Sequence, residues 1–189
     1  LRVIYDTDNK SDERDAEMLA RIGRFDPKML YPVSHNSEAC QRALCRLKSR
    51  DALVNSRTAL INAVRGLLKS QGTKLPSNWS SEQFAKKALG YLSEEDLGMV
   101  QPLLDEIGTL TERIRGLEKE ITRMIEQDYP EAQHLQKIPG VGPLTALSFV
   151  LVIERQTRFR RARDIGPFLG LTPKRDQSGD VDKALRISK

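Results

Sequence analysis

VQPLLDEIGTLTERIRGLEKEITRM, residues 100–124, sets apolar side chains at Val100, Leu103, Ile107, Leu110, Ile114, Leu117, Ile121 and Met124, alternately three and four residues apart. This is the a/d seam of a heptad repeat held over more than three turns of the pattern, so it predicts a long helix that packs against another helix along one stripe. Ser93 is placed to cap that helix, Pro102 is tolerated only near the start of its continuous part, and Pro130 marks its end. Gly108 and Gly116 weaken it locally. The seam needs an occupant: a second chain, or an intramolecular hairpin with another long helix of the same chain.

Such a helix is legible at 38–70, with Asn36 or Ser37 as cap and Gly72 as stop. Its apolar positions are Leu44, Leu47, Leu53, Val54, Leu60, Ile61, Val64, Leu67 and Leu68. Arg42, Arg46, Lys48, Arg50, Arg57, Arg65 and Lys69 fall on the side expected to face water. Residues 72–81, with Pro76 and Trp79, read as a loop, and a shorter helix follows to about Gly90. Upstream, Leu1–Tyr5 is a β-prone run, 6–9 a turn, and Ser11 can cap a helix that reaches Arg24 before Asp26-Pro27 stops it.

The composition agrees with a helical, water-exposed chain. Of 189 residues, 30% are charged and 39% hydrophobic, enough for a core, and no apolar run approaches the roughly 20 residues of a membrane helix. Membrane-spanning and collagen-like classes are excluded. Two cysteines, Cys40 and Cys45, sit on one predicted helix and no apolar signal segment opens the chain, which points to the cytoplasm rather than to a disulfide-stapled secreted domain. A start at Leu1 and a stop within the Arg186–Lys189 pattern are expected of a piece of something longer.

Charge is concentrated at one end. Residues 155–189 hold ten Lys/Arg against four Asp/Glu, whereas the other 154 hold 21 against 22. A basic end on a neutral chain suggests a phosphate-bearing partner. Directly before it, Ile138-Pro-Gly-Val-Gly-Pro143 links a short helix to the apolar helix 144–153. Gly140 and Gly142, around Val141, let a backbone approach a phosphate and aim amide N–H groups at it beside a helix N-terminus. Arg158, Arg160, Arg161 and Arg163, then Lys174 and Arg175, extend the same surface with side chains suited to phosphate. Asp12 and Asp15, three apart in a predicted first helical turn, share one face; such acids serve the helix dipole or hold Mg²⁺.

The order of these parts resembles a family. Asn9–Ala16 (NKSDERDA), 60–68 (LINAVRGLL), the heptad helix, 138–143 (IPGVGP), 158–163 (RFRRAR), 169–173 (LGLTP) and Ser178-Gly179 together are similar to the DEDD-type transposases of bacterial insertion sequences, serine-dependent recombinases guided by a bridge RNA. The resemblance implies a mainly α fold: 1–35 as the remnant of an RNase H-like α/β domain, 36–90 as a basic helix with a connecting helix, 91–131 as a coiled coil, and 132–189 as a truncated helix-hairpin-helix transposase domain. It implies that Asp12 and Asp15 are the last two of four acids that bind Mg²⁺, the other two lying upstream of Leu1, so that this piece lacks a complete metal site and is inactive alone. It also implies that Ser178 is the nucleophile, with Ser188 as competitor. The implied partners are DNA, a guide RNA, and a second copy joined through residues 100–124. The alternative function is a non-catalytic nucleic-acid-binding and dimerisation module built on the same helix-hairpin-helix.

Overall fold

The structure, a computed structural model, describes residues 11–27, 35–178 and 181–187. It divides into two compact units, Leu1–Asn36 and Ser37–Lys189. The β-prone run Leu1–Tyr5 lies outside the described residues.

In the first unit, α1 spans Asp12–Phe25. The Ser11 hydroxyl accepts from the Arg14 N–H at 3.4 Å, and Asp12, Glu13 and Asp15 place three negative charges at the positive end of the helix. Arg21 and Glu17 pair one turn apart at 2.6 Å.

The second unit is organised by two helices of nearly equal length, α2 (Glu38–Ser70) and α4 (Glu94–Gln127). Each starts at the serine the sequence suggests. Ser37 accepts from the Cys40 N–H and Ser93 from the Asp96 N–H, both at 3.2 Å. At the far end of α2, Gly72 takes φ 90°, so that Thr73 and Gly72 N–H reach back to the carbonyls of Leu68 (2.9 Å) and Lys69 (3.1 Å). A loop and the short α3 (Phe84–Leu89) turn the chain back along itself.

The two long helices form an antiparallel hairpin, and two hydrogen-bonded pairs set its register. Arg50 Nε and Nη2 both donate to Glu118 Oε1, at 3.1 and 2.6 Å, and Arg57 Nη1 donates to Thr111 Oγ1 at 3.3 Å. In both pairs residue n of α2 faces residue 168 − n of α4, as the numbers 50 with 118 and 57 with 111 give. The same relation sets Leu68, Val64 and Ile61 opposite Val100, Leu104 and Ile107, all in one apolar cluster with Leu75, Phe84 and Ala88. It sets Leu47 opposite Ile121 and Ala43 opposite Ile125 in the other cluster. Arg57 and Thr111 lie between the two.

This register corrects the sequence reading in two ways. The face turned to α2 is 100/104/107/111/114/118/121/125, which keeps Val100, Ile107, Ile114 and Ile121 of the expected seam and takes Leu104, Thr111, Glu118 and Ile125 between them; Leu110 and Met124 are buried as well, whereas Leu103 and Leu117 are only half-buried. The arginines assigned to water are also partly internal. Arg57 is buried, Arg50 is half-buried in its pair with Glu118, and Arg65 donates to the carbonyls of Leu75 (3.3 Å) and Pro76 (2.8 Å) with its guanidinium over the Phe84 ring. Period alone could not separate these from Arg46, Lys48 and Lys69, which are exposed.

Two short helices close the open end of the hairpin. In α5 (Pro130–Leu135) and α6 (Pro143–Ile153), Ala132, Ala146, Leu147 and Leu151 complete the cluster around Cys40, Leu47, Ile121 and Met124. Cys40 is buried, its thiol donating to the Leu151 carbonyl at 3.1 Å, while Cys45 is an exposed free thiol. After two 3-10 turns and α7 (Ile165–Phe168) the chain ends its described part in a β-hairpin, β1 (Pro173–Ser178) with β2 (Val181–Ile187). No strand is predicted here from the sequence. No helix among the described residues is long and apolar enough to cross a membrane.

Candidate nucleic-acid interface

The glycine-rich link between α5 and α6 folds as the residue types require. Ile138 C=O accepts from the Val141 N–H at 3.0 Å, Pro139 holds the second position, and Gly140 takes φ 87° at the third, which is a type II turn. Gly142 is the N-cap of α6 and Pro143 its first residue. The first helical bond of α6 runs from the Ala146 N–H to the Gly142 carbonyl at 2.9 Å. The N–H groups of Leu144 and Thr145 therefore have no carbonyl one turn back within the helix.

The outer face of this turn is open. Ile138 is 52% exposed and Pro139, Gly140, Gly142, Pro143 and Thr145 are exposed, while Val141 and Leu144 anchor the turn against the core. A Cβ added at Gly142 would meet no atom within 4 Å, so internal packing does not demand glycine there. Beside it runs a groove of about 440 Å³ between the start of α6 and the flank of α4, lined by Glu118, Ile121, Thr122 and Gly142–Thr145. Its carboxylate, Glu118, is paired with Arg50. For Arg50, partial burial alone would lower the pKa, but the hydrogen bonds to Glu118 and Asp51 and their charges outweigh it and the net shift is upward.

α6 ends in an unusual backbone geometry. The Arg155 N–H donates to the Ile153 carbonyl at 2.6 Å around Glu154, which sits at φ 47°, ψ −63°. This three-residue turn of positive φ is strained for a residue with a Cβ. The Glu154 carboxylate holds it, accepting from the Ser37 N–H with its two oxygens at 2.9 and 3.2 Å. Hydrogen bonding to the Ser37 side chain first, then to its backbone, keeps the Glu154 pKa below the usual carboxylate range. The start of α2 is thereby tied to the point where the basic segment leaves the helical body.

Within that segment the arginines separate into two kinds. Arg160, Arg161 and Arg163 are exposed, and the Arg161 backbone N–H is fixed by the Asp164 carboxylate at 3.1 Å. Arg158 lies with its guanidinium carbon 4.5 Å from the Phe168 ring centroid and 5.6 Å from that of Phe159, and the two rings meet edge to face at 5.2 Å. Gly170 at φ 72° then reverses the chain, with the Leu171 N–H bonded to the Gly166 carbonyl at 2.8 Å.

In the hairpin, Ser178 pairs with Val181, Asp176 with Lys183 and Arg175 with Ala184, with an irregularity between Pro173 and Arg175. Ser178 is thus the last described residue before the hairpin turn. The side chains of Lys174, Arg175 and Ser178, together with Gly179, Asp180 and Ser188, lie outside what is described.

Asp12 and Asp15 belong to the other unit, in the first turn of α1. Both are hard oxygen donors on one helical face and so fit Mg²⁺ as a partial ligand set, since that ion needs six oxygens. Among the described residues no group of three or more His, Cys, Asp or Glu gathers to complete it. Sequence reasoning missed Glu154, Phe159 and Phe168. The aromatic pair was signalled by two phenylalanines in a chain with only 5% aromatic residues, but nothing local marked Glu154.

Comparison with known proteins converges on one group. A family model described as "Transposase IS116/IS110/IS902 family" matches residues 132–189, and a model of IS110 transposases of DEDD type matches 1–72. The transposase for insertion sequence element IS1111A of Coxiella burnetii is 33% identical, over 98% of this chain and 51% of its own length. A probable family 20 transposase of Pseudomonas aeruginosa is 30% identical, over 98% and 56%. The transposase for element IS1328 of Yersinia enterocolitica is 28% identical, over 96% and 54%. The chain spans about half the length of the curated relatives it matches.

Proposed function

This chain belongs to the IS116/IS110/IS902 family of transposases, and from that premise we propose that it carries the DNA-gripping surface and part of the catalytic machinery of an insertion-sequence transposase that cuts and rejoins DNA. The observation that carries the reading is the exposed type II turn at 138–141, feeding the open N-terminus of α6 on the same unit as Arg160, Arg161 and Arg163. Backbone amides at a helix start and exposed guanidiniums bind phosphates without reading bases, which suits an enzyme that must hold many sequences. In this reading Gly140, Val141 and Gly142 seat one backbone segment, and Arg158, Arg160, Arg161, Arg163, Lys174 and Arg175 hold the phosphates beside it.

Ser178 is the proposed nucleophile. Its Oγ attacks a DNA phosphorus and loses its proton as the deoxyribose oxygen leaves and takes one up, so a serine–phosphate ester replaces the phosphodiester. The bond energy is retained, and attack by another DNA hydroxyl on the ester reverses the step and rejoins strands. Arginines nearby stabilise the charge that builds on the phosphoryl oxygens. Asp12 and Asp15 would contribute ligands to Mg²⁺, which when bound neutralises phosphate charge. A guide RNA, a second copy docked along the half-buried flank Leu103–Leu117 of α4, and a cytoplasmic, nucleoid-associated setting complete the proposal.

The test uses a chain extended to the length of the relatives, incubated with Mg²⁺, guide RNA and element-end DNA. A denaturation-resistant protein–DNA adduct is expected, mapping to Ser178 and absent in Ser178→Ala. Salt-dependent DNA binding without any adduct would instead support a non-catalytic binding module.

A further inference from the structure

We propose that the Arg158–Phe159–Phe168 cluster is a stacking platform for unpaired nucleotides, so that this surface takes up locally single-stranded nucleic acid as well as duplex. The inference deepens the nucleic-acid reading above and rests on it. Phe168 is 43% exposed and Leu171, just past the Gly170 bend, is 57% exposed, so apolar surface is left open within the most basic segment of the chain. Residues 155–171 carry five arginines and one acid, Asp164, whose carboxylate is engaged by the Arg161 backbone N–H. An open aromatic surface ringed by cations fits neither an apolar protein partner nor a plain duplex backbone. It does fit a strand that offers both phosphates and bare base faces.

The geometry pre-arranges the platform. The edge-to-face contact with Phe159 fixes the plane of Phe168, and the Arg158 guanidinium, 4.5 Å from the Phe168 centroid, offers a second flat cationic surface. Bases stack on aromatic faces and on guanidinium planes alike. Arg160, Arg161 and Arg163 are exposed a few residues away to hold the phosphates that accompany the stacked bases. A duplex, whose bases are already stacked on each other, gains nothing from the rings.

The experiment uses the 189-residue chain with a 15-nucleotide single strand carrying one 2-aminopurine and with the 15-base-pair duplex of the same sequence. Phe168→Leu keeps apolar volume and removes the π face. It should weaken single-strand binding about tenfold, lower the change in 2-aminopurine fluorescence on binding, and leave duplex binding within about twofold. Joint charge reversal of Arg160, Arg161 and Arg163 to Glu should weaken both ligands and flatten the salt dependence. Parental single-strand affinity and an unchanged fluorescence response in Phe168→Leu would overturn the platform while leaving the phosphate-binding reading intact. Failure of the charge reversal to weaken either ligand would overturn that underlying reading instead. Phe168→Trp gives a readout that does not depend on the leucine variant folding: its added emission should be quenched by the single strand over the constant background of Trp79, packed between Phe84 and Tyr91, and no quenching refutes stacking at this position.

Discussion

Replacing Arg57 by methionine should make the protein more stable. The Arg57 side chain is 7% exposed, lies between the two apolar clusters of the hairpin, and makes one hydrogen bond, Nη1 to Thr111 Oγ1 at 3.3 Å. Its Nε is buried with no hydrogen-bond partner, and no carboxylate pairs with it among the described residues. Thr111 loses little with its donor gone, because its own hydroxyl still donates to the Ile107 carbonyl at 2.8 Å. The native arrangement thus gains about 1 kcal/mol from one long hydrogen bond and gives up about 1–3 kcal/mol to the unsatisfied N–H, before any cost of burying the charge. Methionine has similar length, fills an irregular space and leaves no polar atom behind. A net gain of about 1–2 kcal/mol is expected, which at an m-value of about 2 kcal/mol/M raises the urea midpoint by roughly 0.5–1 M at unchanged slope. Helix ellipticity followed through a urea titration measures it. Arg57→Ala provides the contrast, since it removes the guanidinium but also the stem, and should fall below methionine by the cost of the cavity. A loss of 1 kcal/mol or more in Arg57→Met would refute the reasoning, because it would mean that the guanidinium is well satisfied where it lies.

At the glycine turn, Gly140→Ala should cost about 1–2 kcal/mol of stability because alanine resists φ 87°, whereas Gly142→Ala should leave the melting curve unchanged and weaken duplex binding in a filter or anisotropy assay. Glu154 should make stability depend on pH: its folded pKa lies below its ordinary 4.5, so the contribution is complete above that value and is lost as pH falls through the lower folded one. Melting temperatures of the parent and of Glu154→Gln, taken between pH 6 and 3, should converge at the acid end. A double-mutant cycle with Arg50→Met and Glu118→Gln should give a coupling of about 1 kcal/mol that shrinks in high salt, as expected of a half-buried ion pair at 2.6 Å.

Several elements were legible because local chemistry fixes them. Ser37, Gly72 and Ser93 announce helix ends by hydrogen bonds that form within four residues, so α2 and the start of α4 fall where caps and stops predict. Pro139-Gly140 announces a type II turn in the same way. What was not legible depends on groups far apart in sequence. Glu154 acquires its role from Ser37, 117 residues away, and Arg50 and Arg57 are drawn inward by α4. The β-hairpin was missed because its first strand is polar throughout after Pro173 and its second keeps no strict alternation, so neither shows a strong period of two.

The heptad shows why period cannot name a partner. An apolar stripe repeating every seven residues satisfies a second chain or a neighbouring helix of the same chain equally well, and it tolerates sliding by seven. The polar pairs remove that freedom here. Sliding α2 one heptad along α4 in one direction would bring Arg57 to Glu118 but set Arg50 against the buried Ile125, by the same 168 − n relation moved to 175 − n. Sliding the other way would set Arg57 against the buried Leu104. Each slip buries a guanidinium against hydrocarbon, a penalty of several kcal/mol. Arg57 thus weakens the native hairpin slightly and weakens its competitors far more, as a polar residue at a seam position does when it specifies register. The methionine variant should therefore be more stable and less particular, and the register that presents the α5–α6 turn at the end of the hairpin would then rest on Arg50 and Glu118 alone.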